Sequence, residues 1–310
     1  MTISVAAYLM GIPPGNTNTE KPQIIVNCIE GVWASGDTGT IVCDYNPVDT
    51  DVAVIQGFVH PGGKKGPHLA LRQAVVDNQL KKGKRTLIVD SNLFLYADPG
   101  NTKKFLRYSY DGIFPSTGEY CNNTPDPARW QKISRELGIQ LKPWKKTGST
   151  ILICCQRDGG WSMNSQLLMP WIVKTVNEIR KYSKKTIVVR FHPGDKKILE
   201  HKRNLMRYRL ENVLISHSAN IMDDFKTASA VVNHNSSPGV VAAIEGIPIF
   251  LTDPTNSQAQ AVAHTDFSMI DSPKEYDREL WIQKIAQMHW TLDELKDGTA
   301  WMHLRKWAIK

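Results

Sequence analysis

Three stretches in the second half of the chain carry residue types suited to gripping a phosphate. In ILICCQRDGGWSM an apolar run ends in Gln156, Arg157, Asp158, Gly159 and Gly160. Glycine lets the main chain approach an anion closely, and an arginine beside it neutralises the charge. In TIVVRFHPGD, His192 and Pro193 follow a β-branched run. An imidazole there donates to a phosphoryl oxygen, while the proline fixes the turn that aims it. The third stretch, AVVNHNSSPGVVAAIEGIPIFL, runs into Asn235, Ser236 and Ser237, with Pro238 suited to a first helical turn and Gly239 keeping the backbone accessible. Two hydroxyls and free amides at a helix start make a phosphate cradle, whereas an ordinary N-cap needs only one serine. The plain alternatives are a glycine turn with a surface arginine, a loop histidine and a helix cap.

These residues need strand ends to present them. Short β-branched runs alternate with helical segments along the whole chain, the pattern of parallel sheets covered by helices on both faces, so the expected class is α/β. In the first half the spacing predicts strands over Gln23 to Cys28, Thr40 to Cys43, Asp51 to Phe58 and Arg85 to Val89, with a helix from His68 to Gln79. In the second half it predicts strands over Thr150 to Cys155, Thr186 to Phe191, Asn212 to Ser216, Ala230 to Asn233 and Pro248 to Leu251, with helices over Leu167 to Tyr182 and Pro238 to Glu245. Ligands of such sheets bind beyond the carboxyl ends of the strands, where all three phosphate-type stretches fall. The segment Leu141 to Ser149, LKPWKKTGS, reads as a linker. The expected division is therefore 1–145 and 146–275, with helices over 276–310 that fold back on the first domain.

A chain of 310 residues with 41% hydrophobic and 22% charged residues has enough apolar material for two cores. No run approaches the roughly 18 apolar residues of a membrane span, and the start has no signal-peptide pattern, so a cytoplasmic location is expected. The five cysteines include no CxxC pair or zinc-type spacing, which argues against a disulfide framework or a metal site. No Walker A, GxGxxG or GxSxG motif is present, which weighs against P-loop NTPases, dinucleotide oxidoreductases and α/β-hydrolases. The net charge of +8 is concentrated between Arg180 and Arg209, with a looser basic cluster from Lys64 to Arg107. Such runs read either as solvated helix faces or as a polyanion groove.

RFHPGD together with NHNSSPGVVAAIEGIP resembles the HP and Ser-Ser motifs of GT-B glycosyltransferases related to bacterial sialyltransferases and capsule Kdo transferases. The stretch DRELWIQKIAQMHWTLDELKDGTAWMHL resembles the ends of capsule-type transferases and their phage relatives. The resemblance covers the chain from Thr150 onward. It implies two Rossmann-like domains facing a cleft, with the C-terminal one holding a nucleotide-sugar. His192, Ser236 and Ser237 would then contact the donor phosphate, Ser216 would lie near the base, and Asp253 to Gln258 would approach the sugar. The donor is expected to be a UDP-sugar or a CMP-sugar, with no prosthetic group and no essential metal ion.

Glycosyl transfer also needs a base for the acceptor hydroxyl and a means of stabilising the departing phosphate. Asp90, at the end of RTLIVD, and Asp111, in SYDGIFPSTGEY, are the leading acids, with Asp37 a third; each also reads as a turn-former or cap. For the acceptor, the basic density favours duplex DNA, bound through Lys64, Lys65, Lys103, Lys104, Arg107, Lys196 and Lys197. Trp33, Phe58, Phe94, Tyr96, Tyr108, Tyr110 and Phe114 are the aromatics available near a flipped base. The leading expectation is thus a phage-type enzyme that glycosylates 5-hydroxymethylcytosine in double-stranded DNA. A capsule or surface-polysaccharide glycosyltransferase and a non-catalytic nucleic-acid-binding protein are the alternatives.

Overall fold

The computed structural model describes residues 1–12, 20–58, 66–98, 100, 105–164 and 166–309. The chain divides into two compact units, Met1–Gly138 with Gln283–Lys310, and Ile139–Ile282. It is α/β throughout. The segment expected to be a linker belongs to the second unit, where Lys142 N and Lys145 N donate to Ile244 O and Gly246 O. Gly246 turns there with φ +75, and a Cβ on it would lie 2.1 Å from Pro143 O. The chain leaves the first unit at Gly138, whose left-handed φ of 64 ends a helix.

Among the described residues, the first unit is built on a six-stranded sheet. Its strands are β1 (Ser4–Tyr8), β2 (Thr38–Val42), β3 (Val52–Gln56), β4 (Arg85–Asp90), β5 (Leu106–Tyr110) and β11 (His289–Trp290), in the order β11-β5-β4-β3-β1-β2. β2, β1, β3 and β4 run parallel, while β5 is antiparallel to both β4 and β11. Helices α1 (Glu20–Ala34), α2 (Pro67–Lys81) and α3 (Pro127–Leu137) pack with it, and α8 (Glu279–Gln287) leads into β11, α9 (Leu292–Lys296) and α10 (Thr299–Leu304).

The strand expected over Gln23 to Cys28 is instead part of α1. Ile24, Ile25, Cys28, Ile29 and Val32 are all fully buried. Their spacing is that of one helical face, and a short β-branched run does not by itself distinguish the two states. The true first strand, SVAAY, carries two alanines of low strand propensity. Its place between β2 and β3 in a sheet covered on both faces overrides that preference.

The second unit holds an all-parallel five-stranded sheet among its described residues. β6 (Thr150–Cys154), β7 (Thr186–Arg190), β8 (Val213–Ile215), β9 (Ala228–Asn233) and β10 (Ile249–Leu251) lie in the order β10-β9-β6-β7-β8. β6, β9 and β10 are near-continuous buried apolar runs, as expected of strands covered on both faces, whereas the edge strand β8 leaves Leu214 exposed. Helices α4 (Leu168–Arg180), α5 (Ile198–Arg207), α6 (Ile221–Thr227) and α7 (Pro238–Ile244) connect them. The strand order reverses between β6 and β9, so the crevice that receives ligands in doubly wound sheets opens past Cys154 and Asn233. Cys154 and Cys155 are free and buried, and burial pushes both thiols up.

Candidate functional site

The loops after β6, β7, β9 and β10 meet at this switch point. Gln156 Nε2 donates to Asn235 Oδ1 at 2.9 Å and to Ser162 Oγ at 3.0 Å. Asn235 Nδ2 donates in turn to Ser162 O and to Asp253 Oδ2, at 2.9 and 2.8 Å. Burial opposes the charge of Asp253, but hydrogen bonds from Asn256, Asn235 and Thr255 outweigh it and hold its carboxyl below the usual range. His234 Nδ1 shares a 2.7 Å hydrogen bond with Thr252 Oγ1, which also accepts from Trp171 Nε1. The other nitrogen, Nε2, is enclosed without a hydrogen-bond partner, 3.7 Å from Asp253 Oδ2. The hydrogen bonds linking Gln156, Ser162, Asn235 and Asp253 tie these loops together in a polar knot, and His234 Nε2 is the enclosed group they leave unsatisfied.

Around the knot stand groups left free to meet a ligand. Arg157 is exposed, and its guanidinium lies against Gly194, where a Cβ would fall 2.7 Å from Nη2 and 3.2 Å from His192 Cε1. His192 Nδ1 accepts from Gly194 N at 2.9 Å, so in the neutral ring the proton sits on Nε2 as a donor. Burial, then the neighbouring Arg157, pull the imidazole pKa down against the opposing pull of Asp195. The result is a neutral N–H donor beside a guanidinium, a pairing that suits a phosphoryl oxygen. Asp158 and Asp195 tie the two loops together: Asp158 accepts from Leu168 N at the start of α4 and from Lys197 Nζ, and Asp195 accepts from Asp158 N. Gly159 turns with φ +59 and has open space around it among the described residues, and Pro193 is exposed in the His192 turn.

Three expectations need correction. The two serines are not equivalent: Ser236 Oγ accepts from Asn233 Nδ2 at 3.2 Å, whereas Ser237 is exposed and makes no side-chain cap. Gly239 is buried rather than accessible, because a Cβ would press on Asn233 at 3.2 Å. Ser216 donates to Asp224, which also receives Arg190 Nη1 at 2.7 Å, so its hydroxyl is committed to an internal network. Helix α7 has only 7 residues, so the hydroxyl and the neighbouring loops matter more than its dipole.

Of the three candidate acids, only Asp90 stands at the carboxyl edge of its sheet. It accepts from Arg107 Nη2, a buried guanidinium on β5. Asp111 and Asp37 lie at the opposite, amino edge. Asp111 accepts from Arg85 Nε and Thr86 N, and Asp37 accepts from Ile3 N, Trp301 Nε1 and Arg305. The end of the chain packs on that edge, so both acids are structural anchors.

The basic residues also divide. Arg107 is interior and ion-paired, which removes it from any nucleic-acid surface. Arg180 donates to the carbonyls of Ser183, Lys185, Glu211 and Asn212, and Lys197 pairs with Asp158. Lys196 is exposed. Lys64, Lys65, Lys103 and Lys104 lie outside the described residues. Among the aromatics, Phe94, Tyr108 and Tyr110 are fully buried core residues. Among the described residues, no group of three or more His, Cys, Asp or Glu side chains is arranged to hold a metal ion, and no helix is long and apolar enough to cross a membrane.

No protein-family model matches this chain. No curated protein matches it either. Solved structures do. The Thermosulfurimonas dismutans KpsC beta Kdo 2,7 transferase superposes with a TM-score of 0.55 at 12% identity, covering 97% of this chain and 99% of that one. The beta Kdo 2,4 transferase of the same protein gives 0.53 at 12% identity, over 92% and 90%. The fold is GT-B. At this identity the likeness is one of architecture, and it extends over the N-terminal half, where sequence motifs resemble little. His234 was not among the expected site residues, although it lies within the NHNSS stretch. Its burial at the end of β9 becomes visible only once the strands are assembled.

Proposed function

We propose that this protein is a nucleotide-sugar-dependent glycosyltransferase whose acceptor is a saccharide. The observation that carries the reading is the group of unengaged donors at the switch point of the second sheet: the Arg157 guanidinium, His192 Nε2–H and Ser237 Oγ, held around the Gln156–Asn235–Asp253 knot. Such a set binds the phosphate of an activated sugar and takes up negative charge as it departs. In the reaction the acceptor hydroxyl loses its proton to a base as its oxygen bonds to the anomeric carbon. The anomeric carbon–phosphate oxygen bond breaks, and the nucleotide leaves with the electron pair. Asp90 is the acid we assign as base, with Arg107 fixing its orientation.

Two observations favour a saccharide over hydroxymethylated DNA. The architecture is shared along nearly the whole length with two Kdo transferases, and much of the basic run from Arg180 onward is used in internal hydrogen bonds and ion pairs. A CMP-activated sugar acid is therefore the first donor to test, with UDP-sugars second. Calorimetry with a panel of both, followed by mass analysis of acidic oligosaccharides and of hydroxymethylated duplex, tests the reading. We expect donor binding that Arg157→Gln weakens, and a mass gain on oligosaccharide. Absence of binding by every donor would refute the enzyme, and a mass gain on DNA alone would restore the duplex acceptor.

A further inference from the structure

The first unit has its own switch point, between β1 and β3, and a buried cation sits there. Arg72, one turn into α2, is 8% exposed. Its Nε donates to Gly11 O, in the turn after β1, at 2.7 Å. Among the described residues, its two terminal nitrogens have no hydrogen-bond partner and no carboxylate within ion-pair distance. Among the described residues, neither is a fully enclosed polar atom. Burial draws the pKa of the group down, with no acid nearby to restore it. Buried arginines ordinarily meet an acid, because an uncompensated interior charge is costly.

Among the described residues, the surroundings leave room at this tip. Gly57, just past β3, turns with φ +78, and its N donates to Val89 O. A Cβ at that position would sit 2.9 Å from Arg72 Nη1 and would cover the guanidinium. Among the described residues nothing covers the start of α2, whose N-cap Gly66 supplies no side chain and is followed by Pro67. His68, on the same face as Arg72, is engaged by Met10 O at 2.7 Å. His68 thus latches the loop after β1, and Arg72 adds to that latch with Nε alone. Among the described residues, nothing in the fold uses its forked pair of Nη donors.

The geometry points to a second anion site in the first unit, in which the Arg72 Nη pair, between Gly11 and Gly57 and beside the open α2 start, binds a carboxylate or phosphate group. A bidentate guanidinium fits the planar edge of either anion. If the transferase reading holds, this is where an acidic acceptor would be recognised; that role rests on the reading, but anion binding does not.

Arginine footprinting of the full chain with phenylglyoxal, mapped by peptide mass, reads the site locally. An Arg157→Gln background removes the guanidinium of the second unit's candidate phosphate site, so failure here is separable from failure of donor binding. We expect Arg72 to react in the free protein and its rate to fall at least about fivefold with saturating inorganic phosphate or glucuronate, but not with chloride at equal ionic strength. Protection by glucuronate alone identifies a sugar-acid carboxylate as the source, and protection by phosphate alone a phosphoryl group. An unreactive Arg72, or no protection by either anion, overturns the proposal. In the same background, Arg72→Lys should retain weakened calorimetric binding, Arg72→Gln should lose it, and His68→Gln should keep it. Loss in His68→Gln equal to that in Arg72→Gln would assign the effect to the loop latch and overturn the site.

Discussion

Replacing Glu294 by glutamine tests how the end of the chain is fastened to the first unit. Glu294 completes a capping box with Thr291 and receives the buried Arg129 through both terminal nitrogens, the Nη2 to Oε2 contact being 2.7 Å, together with Lys132. Arg129 also donates to His289 O and lies 4.0 Å from the Trp290 ring centre, so one guanidinium clamps β11 and α9 to α3. Burial raises the carboxyl pKa, but the Arg129 hydrogen bonds and charge, with Lys132 and Thr291, bring it from 4.5 down to about 2. At about 1.4 kcal/mol per unit this corresponds to stability on the order of 3 kcal/mol, within the range for breaking a buried pair. The folded value lies below the unfolded one. The contribution is therefore complete above about pH 4.5 and is lost as the pH falls toward 2. Urea unfolding followed by tryptophan emission should show Glu294→Gln less stable by about 3 kcal/mol at pH 7, with the gap shrinking to about 1 kcal/mol by pH 2.5 and closing only as the pH falls below 2. A gap that stays constant from pH 7 to 2.5 would refute the electrostatic origin.

The unequal serines predict unequal effects. Ser236→Ala should cost about 1 kcal/mol of stability or less by removing the longer of two hydrogen bonds from Asn233 Nδ2, which keeps its bond to Ser236 O at 2.7 Å, whereas Ser237→Ala should leave the melting temperature unchanged and weaken donor binding, both read by calorimetry. Burial and Arg157 hold the His192 pKa of the free protein below the usual 6.5, so donor binding that tightens on acidification, as the ring gains charge against the phosphate, should level off only below about pH 6.5. Levelling off above pH 7 would contradict that environment. Asp111→Asn should lower stability without slowing turnover by the remaining enzyme, while Asp90→Asn should slow transfer at least about 100-fold in a product-release assay. Gly246→Ala should destabilise the second unit by about 2 kcal/mol or more, since it combines a left-handed φ with a Cβ against Pro143 O.

The strands of the second unit were legible from Thr150 to Leu251 because parallel strands buried on both faces are written as short β-branched runs. The same signal misled at Gln23 to Cys28, where burial follows a helical period. It was silent at Ser4 to Tyr8, where alanines occupy a central strand. For the site, residue types and strand ends pointed to Arg157, His192, Asn235 and the serines, since these lie in turns that directly follow recognisable strands. Which serine is free, which acid stands at the carboxyl edge and which arginine is interior depended on pairings between residues far apart in the chain. Asp111 and Asp90 look alike as acids ending strands, but β5 runs antiparallel to β4 and carries Asp111 to the amino edge. Arg72 gave no local sign at all, because a mid-helix arginine looks the same whether it faces solvent or two glycine turns. Local periodicity thus determined the elements and the chemistry on offer, while strand direction and long-range packing decided which groups remain unsatisfied and therefore available to a ligand.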